Sequence, residues 1–352
     1  MRTMASTGVK KAMTMPNETT PSEPLDPYGV QPKHILGDAV PDWSNQDRLA
    51  RAERLEEFFK TNWIEHEPQE KLVKQLVSYL NGVQKLRGRS MNGRRLSEYS
   101  NAGKSRMIER LLEVMRKLRA EQGLAPNPYE LLCVELDKTT TVYAFFRQIL
   151  RLMGDDHWND KRETLDDLEE RINKLGKALN VKGIICDEVQ HLDRKTTDAK
   201  EVTDRFKTFL NRGILPLILV GDEDADKLFD KNDKFATRLS TPLKLKPLDY
   251  AGSIADAKIL MKFCVQLDAD LVNAGLLDRP SGLGKRGLRT PLAHVSGGHV
   301  GRVCRVVEEA ARNAILRGSP VVEAHDLSVA TREFAIGLKW IHRDPFSRRG
   351  TP

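Results

Sequence analysis

Apolar positions along this chain fall into two rhythms. Some recur at helical spacing; others form short unbroken runs, and the two alternate. A helix is predicted over 45–61. Another follows Pro68, where Leu72, Val73, Leu76, Val77 and Leu80 share one face. A polar strand, Arg94-Arg95-Leu96-Ser97, leaves the Gly/Arg-rich stretch 86–95. Met107, Ile108, Leu111, Leu112, Met115 and Leu118 then line a helix that Gly123, Pro126 and Pro128 terminate. A strand is predicted over 131–136 and a helix over 141–153, with an acidic helix carrying on to about 179. The run 181–186 reads as a central strand buried on both faces. A helix over 201–211, a strand over 214–220 and a short strand over 242–245 complete this half. Beyond 251 only helices are predicted, over 254–267, 300–317 and 325–336, around a Gly/Pro/Arg-rich loop at 277–290. Alternating strands and helices imply an α/β fold with a parallel sheet and helices on both faces. Residues 1–42, with six prolines among Thr, Ser and Glu, read as a disordered or extended arm.

Composition narrows the class. At 352 residues the chain has room for one large α/β domain and a smaller one. Hydrophobic residues make up 39% and mean hydropathy is −0.48, and no apolar run approaches the ~20 residues that span a bilayer. The N-terminus has no apolar core of a secretory signal, so a cytoplasmic protein with no membrane partner is expected. Cys133, Cys186, Cys264 and Cys304 lie far apart in apolar stretches, without a Cys-x-x-Cys pair. They read as small buried residues in a reducing compartment, not as zinc ligands or disulfides.

Charge is unevenly spread. Between 85 and 119 eleven Lys and Arg face three Glu, a local +8 against +7 for the whole chain. The cluster reads either as a surface for a polyanion or as a solvated helix face. The stretch 155–171 holds eight acids and three bases and reads as a solvated helix without a role.

Two segments carry the candidate chemistry. Asn101-Ala102-Gly103-Lys104-Ser105 resembles the end of a phosphate-binding loop, whose glycine turn opens into a helix with free backbone N–H groups. Lys104 would reach the β- and γ-phosphates, and Ser105 would bind Mg²⁺. Asn101, Ala102, Gly103 and Arg106 would line the same nucleotide. Glu98 stands where the motif's first Gly belongs, so its carboxylate is expected to point away from the phosphates, toward Arg94 or Arg95. A chance match to this short motif is the alternative. The second segment, Ile184-Ile185-Cys186-Asp187-Glu188, ends an apolar strand with two acids: Asp187 to hold the metal, Glu188 to polarise water. Its alternative is an acidic helix N-terminus after a core strand. Asp222, at the tip of the next strand, sits where a polar residue would sense the nucleotide. Arg238 reads as an arginine finger for a neighbour's γ-phosphate or as a surface arginine. Arg302 reads as a γ-phosphate contact from the lid or as an exposed helix residue. His191 reads as a loop histidine. Trp340, Arg343, Phe346, Arg348 and Arg349 form a basic-aromatic tail, either a docking peptide or a frayed terminus.

Taken together, these residues resemble an AAA+ ATPase, and more narrowly the TniB/TnsC/MuB group of transposition regulators. The resemblance covers about 45–335. It rests on Ser100-Asn101-Ala102-Gly103-Lys104-Ser105 and on the run from Ile184 through Asp187 and Glu188 to Leu192. Leu217-Ile218-Leu219-Val220-Gly221 and Gly297-Gly298-His299-Val300-Gly301-Arg302 narrow it further. It implies a sheet of order 5-1-4-3-2 and a small C-terminal helical lid. The divisions expected are an arm at 1–42, an AAA+ nucleotide-binding core with N-terminal helices at 43–250, a lid at 251–337 and a tail at 338–352. It also implies ATP and Mg²⁺ as cofactors and a homo-oligomeric ring or filament on double-stranded DNA. A transposase, and a target-selection adaptor beside it, would be the protein partners, in a bacterial, nucleoid-associated setting. The loop after the second strand would bring Lys138, Thr139 and Thr140, followed by Arg147, to the DNA backbone. The alternative there is threonines capping the next helix.

The function expected is an ATP-dependent, sequence-nonspecific DNA-binding regulator of transposition, with hydrolysis controlling disassembly. Three rivals stay open: an AAA+ ATPase of another pathway, such as a helicase loader or secretion-associated ATPase; a nucleotide-gated adaptor with little hydrolysis; and a DNA-binding structural protein with accidental loop similarity.

Overall fold

An all-apolar strand forms the centre of the molecule. The structure is a computed structural model. It describes residues 44–347, apart from 100, 101, 138, 139, 195, 231 and 232 and the side chains of 192–199 and 230. The expected arm, Ser100, Asn101, Lys138, Thr139, Arg348 and Arg349, and the side chain of Leu192, lie outside the described residues.

In chain order the elements are α1 (Gln46–Thr61), α2 (Glu67–Val83), β1 (Arg94–Ser97), α3 (Lys104–Glu121), β2 (Leu131–Glu135), α4 (Val142–Leu152), α5 (Leu165–Ala178), β3 (Gly183–Asp187), α6 (Thr196–Asn211), β4 (Leu217–Gly221), α7 (Ala225–Asp230), α8 (Asp233–Ala236), α9 (Ile254–Asn273), α10 (Arg286–Ser296), α11 (Val300–Leu316) and α12 (Ala324–Ala330). The strands pair in parallel in the order β1-β4-β3-β2. Ile184, Ile185, Cys186 and every residue of β4 are buried, as central strands covered on both faces require. One layer of the core packs Phe145, Phe146, Phe206 and Phe209 against one face of the sheet; the other packs Leu76, Leu96, Met107 and Leu111.

The expected fifth strand does not form a ladder. Its place beside β1 is marked by two parallel bridges, Gly93 to Leu239 and Leu96 to Leu243. The order 5-1-4-3-2 is therefore kept, with an outer edge too short to be a strand.

Three further expectations change. The helix expected to continue past 153 breaks at turns, and α5 starts afresh where Thr164 and Asp167 form a reciprocal capping box. The acidic stretch is not merely solvated. Glu169 is fully buried between Arg205 (2.5 Å) and Arg212 (2.8 Å). The loop expected at 277–290 gives way to α10 from Arg286. Gly287 and Pro291 argue against that helix locally, but burial of Leu292, Ala293 and Val295 in the lid core outweighs them. Asp268 of α9 folds the approach to α10 by accepting from the N–H groups of Ser281, Gly282 and Leu283 at 2.6–3.0 Å.

Two ends of the chain join the lid. Ala52 and Leu55 of α1 belong to the same buried cluster as Val303 and Val307, and α1 packs along α11, although it precedes the α/β core. The C-terminal segment is not frayed through Phe346: Trp340, Ile341 and Phe346 pack on the same cluster. Among the described residues no helix is long and apolar enough to cross a membrane.

Candidate functional site

The loop from β1 to α3 is built around Gly103. Its φ is +95°, in the region that favours glycine, and an added Cβ would lie 2.6 Å from Gln69 Nε2. Gln69 itself is buried and donates to the Gly103 carbonyl at 3.0 Å, tying α2 to the loop. The N-cap of α3 is Gly103, which offers no side chain to the first backbone N–H groups, the arrangement by which a helix start takes an anion. The Lys104 ammonium donates to the carbonyls of Glu98 (2.5 Å) and Tyr99 (3.0 Å). Burial lowers its pKa, while Asp222, Glu188, Asp187 and Glu223 oppose that shift, so these four acids lie within electrostatic reach of it.

Glu98 does point away from this loop, but not toward the arginines expected. Its Oε1 accepts from the Leu245 N–H at 2.7 Å, in the segment where the fifth strand would run. Burial raises its pKa, and the Leu245 bond opposes the rise. Arg94 stacks over Tyr79 at 5.1 Å. Arg95 lies over Phe229 at 4.9 Å and 3.8 Å from Asp226.

At the end of β3, burial raises the pKa of Asp187, and the Glu188 N–H donates to its Oδ1 at 2.9 Å. Glu188 adopts φ +60°, a conformation uncommon for a residue with a side chain. Gln190 Nε2 donates to Glu188 Oε2 at 2.5 Å, and Gln190 Oε1 accepts from the Asp222 N–H at 3.2 Å. One buried amide thus joins the acids after β3 to the tip of β4. His191 is beside this pair, its Nε2 3.6 Å from Glu188 Oε2. The Asp222 carboxylate accepts from the Asp224 N–H at 3.0 Å.

Gly103, Lys104, Ser105 and Glu188 open into a chamber of about 580 Å³ that runs between the α1–α2 connection and helices α9 and α11. Its far walls mix an apolar patch, Trp63, Ile64, Phe263, Leu267 and Val300, with charged groups of α1 and α11 such as Glu56, Arg305, Glu308 and Arg312. Apart from Val300, in the stretch 297–302, nothing at the level of sequence marked these residues, which converge from three distant segments. A helix start opening into a chamber with an apolar patch suits a nucleotide. Among the described residues no cluster of three or more His, Cys, Asp and Glu forms a metal cage. A hydroxyl and a carboxylate, Ser105 and Asp187, are the donor types Mg²⁺ uses when phosphates and water complete its shell.

The remaining expected site residues divide. Arg302 lies toward this end of the lid. Its charge opposes protonation of His299, as does that of Lys104; burial is the larger cause and lowers that histidine's pKa to about 4. Arg238 is not among the chamber's lining residues. Its Nη1 donates to Ser90 Oγ at 3.1 Å, and its carbonyl accepts from Gly93 at the edge of β1. Arg106 lines the chamber, with its guanidinium engaged by protein oxygen. It caps the end of α1, donating to the carbonyls of Lys60, Thr61 and Asn62 at 2.5–3.1 Å and pairing with Glu109.

The expected DNA loop is also partly self-engaged. Thr140 Oγ1 bonds Asp137 Oδ1 at 3.0 Å, and Thr141 caps α4 by accepting from Ala144 at 3.2 Å. Arg147 lies over Tyr143 at 5.3 Å and donates to the Asp160 carbonyl at 3.4 Å. The basic cluster at 85–119 disperses in the same way. Arg87 donates to the Ile214 carbonyl at 2.9 Å and to that of Val181. Arg110 pairs with Glu70 at 3.0 Å, and Arg119 lies 3.7 Å from Glu130.

Comparison with known proteins agrees with this architecture. A family model described as "Bacterial TniB protein" matches residues 54–248. No curated protein sequence matches the chain. Among solved structures, the Aeropyrum pernix ORC2 protein in ADPNP-ADP complexes aligns with a TM-score of 0.56 at 14% identity, covering 80% of this chain and 71% of that one. The Pyrobaculum aerophilum Cdc6p structure gives 0.56 at 12%, covering 79% and 70%. The Aeropyrum pernix ORC1 protein in complex with DNA gives 0.54 at 14%, covering 77% and 66%. At such identities the likeness is one of fold, the AAA+ arrangement of sheet and helical lid.

Proposed function

The chain belongs to the bacterial TniB family, and from that premise we propose that it is a Mg²⁺-dependent ATPase that assembles on double-stranded DNA and regulates transposition. The observation that carries the nucleotide part is the convergence of Lys104, Ser105 and Glu188 at one end of the chamber, with Asp187 within electrostatic reach of Lys104. Lys104 and the first backbone N–H groups of α3 hold the phosphates. Ser105 and Asp187 hold Mg²⁺, which when bound neutralises phosphate charge. Glu188 orients water and accepts its proton as the oxygen attacks the γ-phosphorus and the bond to ADP breaks. Arg302 reaches the terminal phosphate from the lid, while Asp222 senses it from the tip of β4. Arg238, bonded to Ser90 away from the lining of its own chamber, serves a neighbouring copy in a ring or filament. Thr140, with Arg147 of α4, contacts the DNA backbone, and hydrolysis releases the assembly. A transposase, with or without a target-selection adaptor, is the partner such an assembly would recruit. The setting is the bacterial nucleoid.

A second reading, a nucleotide-gated DNA binder with little turnover, is favoured by two observations. Glu188 is tied to Gln190 at φ +60°, and Lys104 is tied to its own loop's carbonyls.

Electron microscopy with duplex DNA and a non-hydrolysable ATP analogue tests the assembly. Nucleotide-dependent rings or filaments support it; DNA binding indifferent to nucleotide and to Lys104→Ala refutes it. Phosphate release, with Glu188→Gln as control, separates the two readings.

A further inference from the structure

Arg302 occupies an unusual place for a cation. Its Cζ lies 4.9 Å from the ring centroid of Trp340, and its Nε is buried without a hydrogen-bond partner. Burial lowers its pKa, while Glu223 and Tyr99 oppose the shift, so both lie within electrostatic reach. The ring beneath it is itself held. Trp340 meets Phe334 edge-on at 5.1 Å and 90°, and its backbone N–H donates to the Ala335 carbonyl at 2.9 Å. The chain reaches this position through a π-helical turn at Thr331–Ile336 and through Lys339 at φ +59°. Past the ring, Asp344 accepts from Ser328 Oγ at 2.5 Å, and Ile341 and Phe346 pack on the lid core. The segment after α12 is therefore folded back so that an indole lies against the guanidinium.

We propose that Trp340 is a positioning residue for Arg302. The indole holds the guanidinium by its face and leaves its edge N–H groups free for the terminal phosphate. A planar guanidinium can do both at once, since stacking uses its face and hydrogen bonding its rim. An aromatic face attracts the cation without supplying an acceptor that would compete with phosphate. The backbone turn at Lys339 and the edge-on Phe334 fix where that face lies. This inference rests on the reading of Arg302 as a γ-phosphate contact. It adds that the C-terminal segment determines how well the chain tells a triphosphate from a diphosphate.

The test measures binding of a non-hydrolysable ATP analogue and of ADP by the full chain and its variants, with melting curves to verify folding. Loss of one cation–π contact should weaken the triphosphate analogue about fivefold in Trp340→Ala, with ADP affinity little changed. Trp340→Phe should retain most of the discrimination. Trp340→Leu, which keeps apolar volume but has no π-face, should behave as Trp340→Ala and serves if the alanine variant does not fold. In an Arg302→Ala background, Trp340→Leu should have no further effect. Equal weakening of both nucleotides, or a persisting effect of Trp340→Leu without Arg302, would overturn the proposal. So would unchanged discrimination in Arg302→Ala alone. That last result leaves the phosphate-loop reading standing, which fails only if Lys104→Ala still binds nucleotide.

Discussion

Gln190 donates to Glu188 at 2.5 Å while its carbonyl oxygen accepts from the Asp222 backbone at 3.2 Å, so the acid after β3 is tied to the tip of β4. The bridge is possible because Gly221 leaves room. A Cβ there would lie 2.7 Å from Gln190 Oε1 and from Ala225 Cβ. Gly221→Ala should displace Gln190 and destabilise the fold by about 1–3 kcal/mol, the usual cost of overpacking. Chemical denaturation gives the stability. A variant as stable as the parent would mean that the bridge is not closely packed.

Glu188→Gln should still bind nucleotide and assemble on DNA while turnover falls by about 10²–10⁴-fold, the scale of a lost general base. Single-turnover phosphate release reports the rate, and microscopy the assemblies. Unchanged release would remove Glu188 from the chemistry.

Glu98 gives a pH-dependent signature. Its carboxyl is held above its ordinary value by burial. A raised folded pKa means the folded state binds the proton more tightly than the unfolded chain. The associated stabilisation is complete below the unfolded pKa and is lost as pH rises through the folded one. Glu98→Gln keeps a side-chain oxygen for the Leu245 N–H but cannot ionise. Its melting temperature should therefore improve relative to the parent as pH climbs through that window. Glu98→Ala, which orphans a buried N–H, should cost about 1–3 kcal/mol. Parallel melting curves for parent and Glu98→Gln across pH would contradict this.

The arginines of the basic cluster should behave as structural groups. Arg87→Ala removes charged donors from the carbonyls of Ile214 and Val181, a change of about 1.5–3 kcal/mol per lost bond. The salt dependence of DNA binding should keep its slope, because this arginine faces protein oxygen. A shallower slope with intact stability would restore the polyanion reading of that stretch.

Arg106→Ala should loosen α1 from α3, since one guanidinium gathers the carbonyls of Lys60, Thr61 and Asn62. The resulting loss should appear as earlier hydrogen exchange at the end of α1. Protection equal to the parent's would show that packing in the lid suffices to hold that helix.

Much of the architecture was legible because periodicity reports burial. The strand around Ile184 and Ile185 is apolar throughout, and β3 is central in the sheet. The face made by Met107, Leu111 and Met115 is the buried face of α3. Local signals also failed where distant packing outweighed them. Gly287 and Pro291 argued against α10, and Lys339 and Trp340 gave no sign that the chain turns back.

The sequence by itself determined the order of strands and helices, the glycine turn before Lys104 and the pair of acids after β3. Each depends on residues a few positions apart, whose backbone preferences and apolar spacing act locally. Only the tertiary structure decided that Glu98 faces Leu245, that Gln190 joins Glu188 to Asp222, that Arg106 caps α1 and that Arg302 rests on Trp340. Most of those partners lie tens to well over a hundred positions apart. A polar side chain's pairing depends on which groups the sheet order and the lid bring within hydrogen-bonding reach once water is excluded, which no local pattern of the chain encodes.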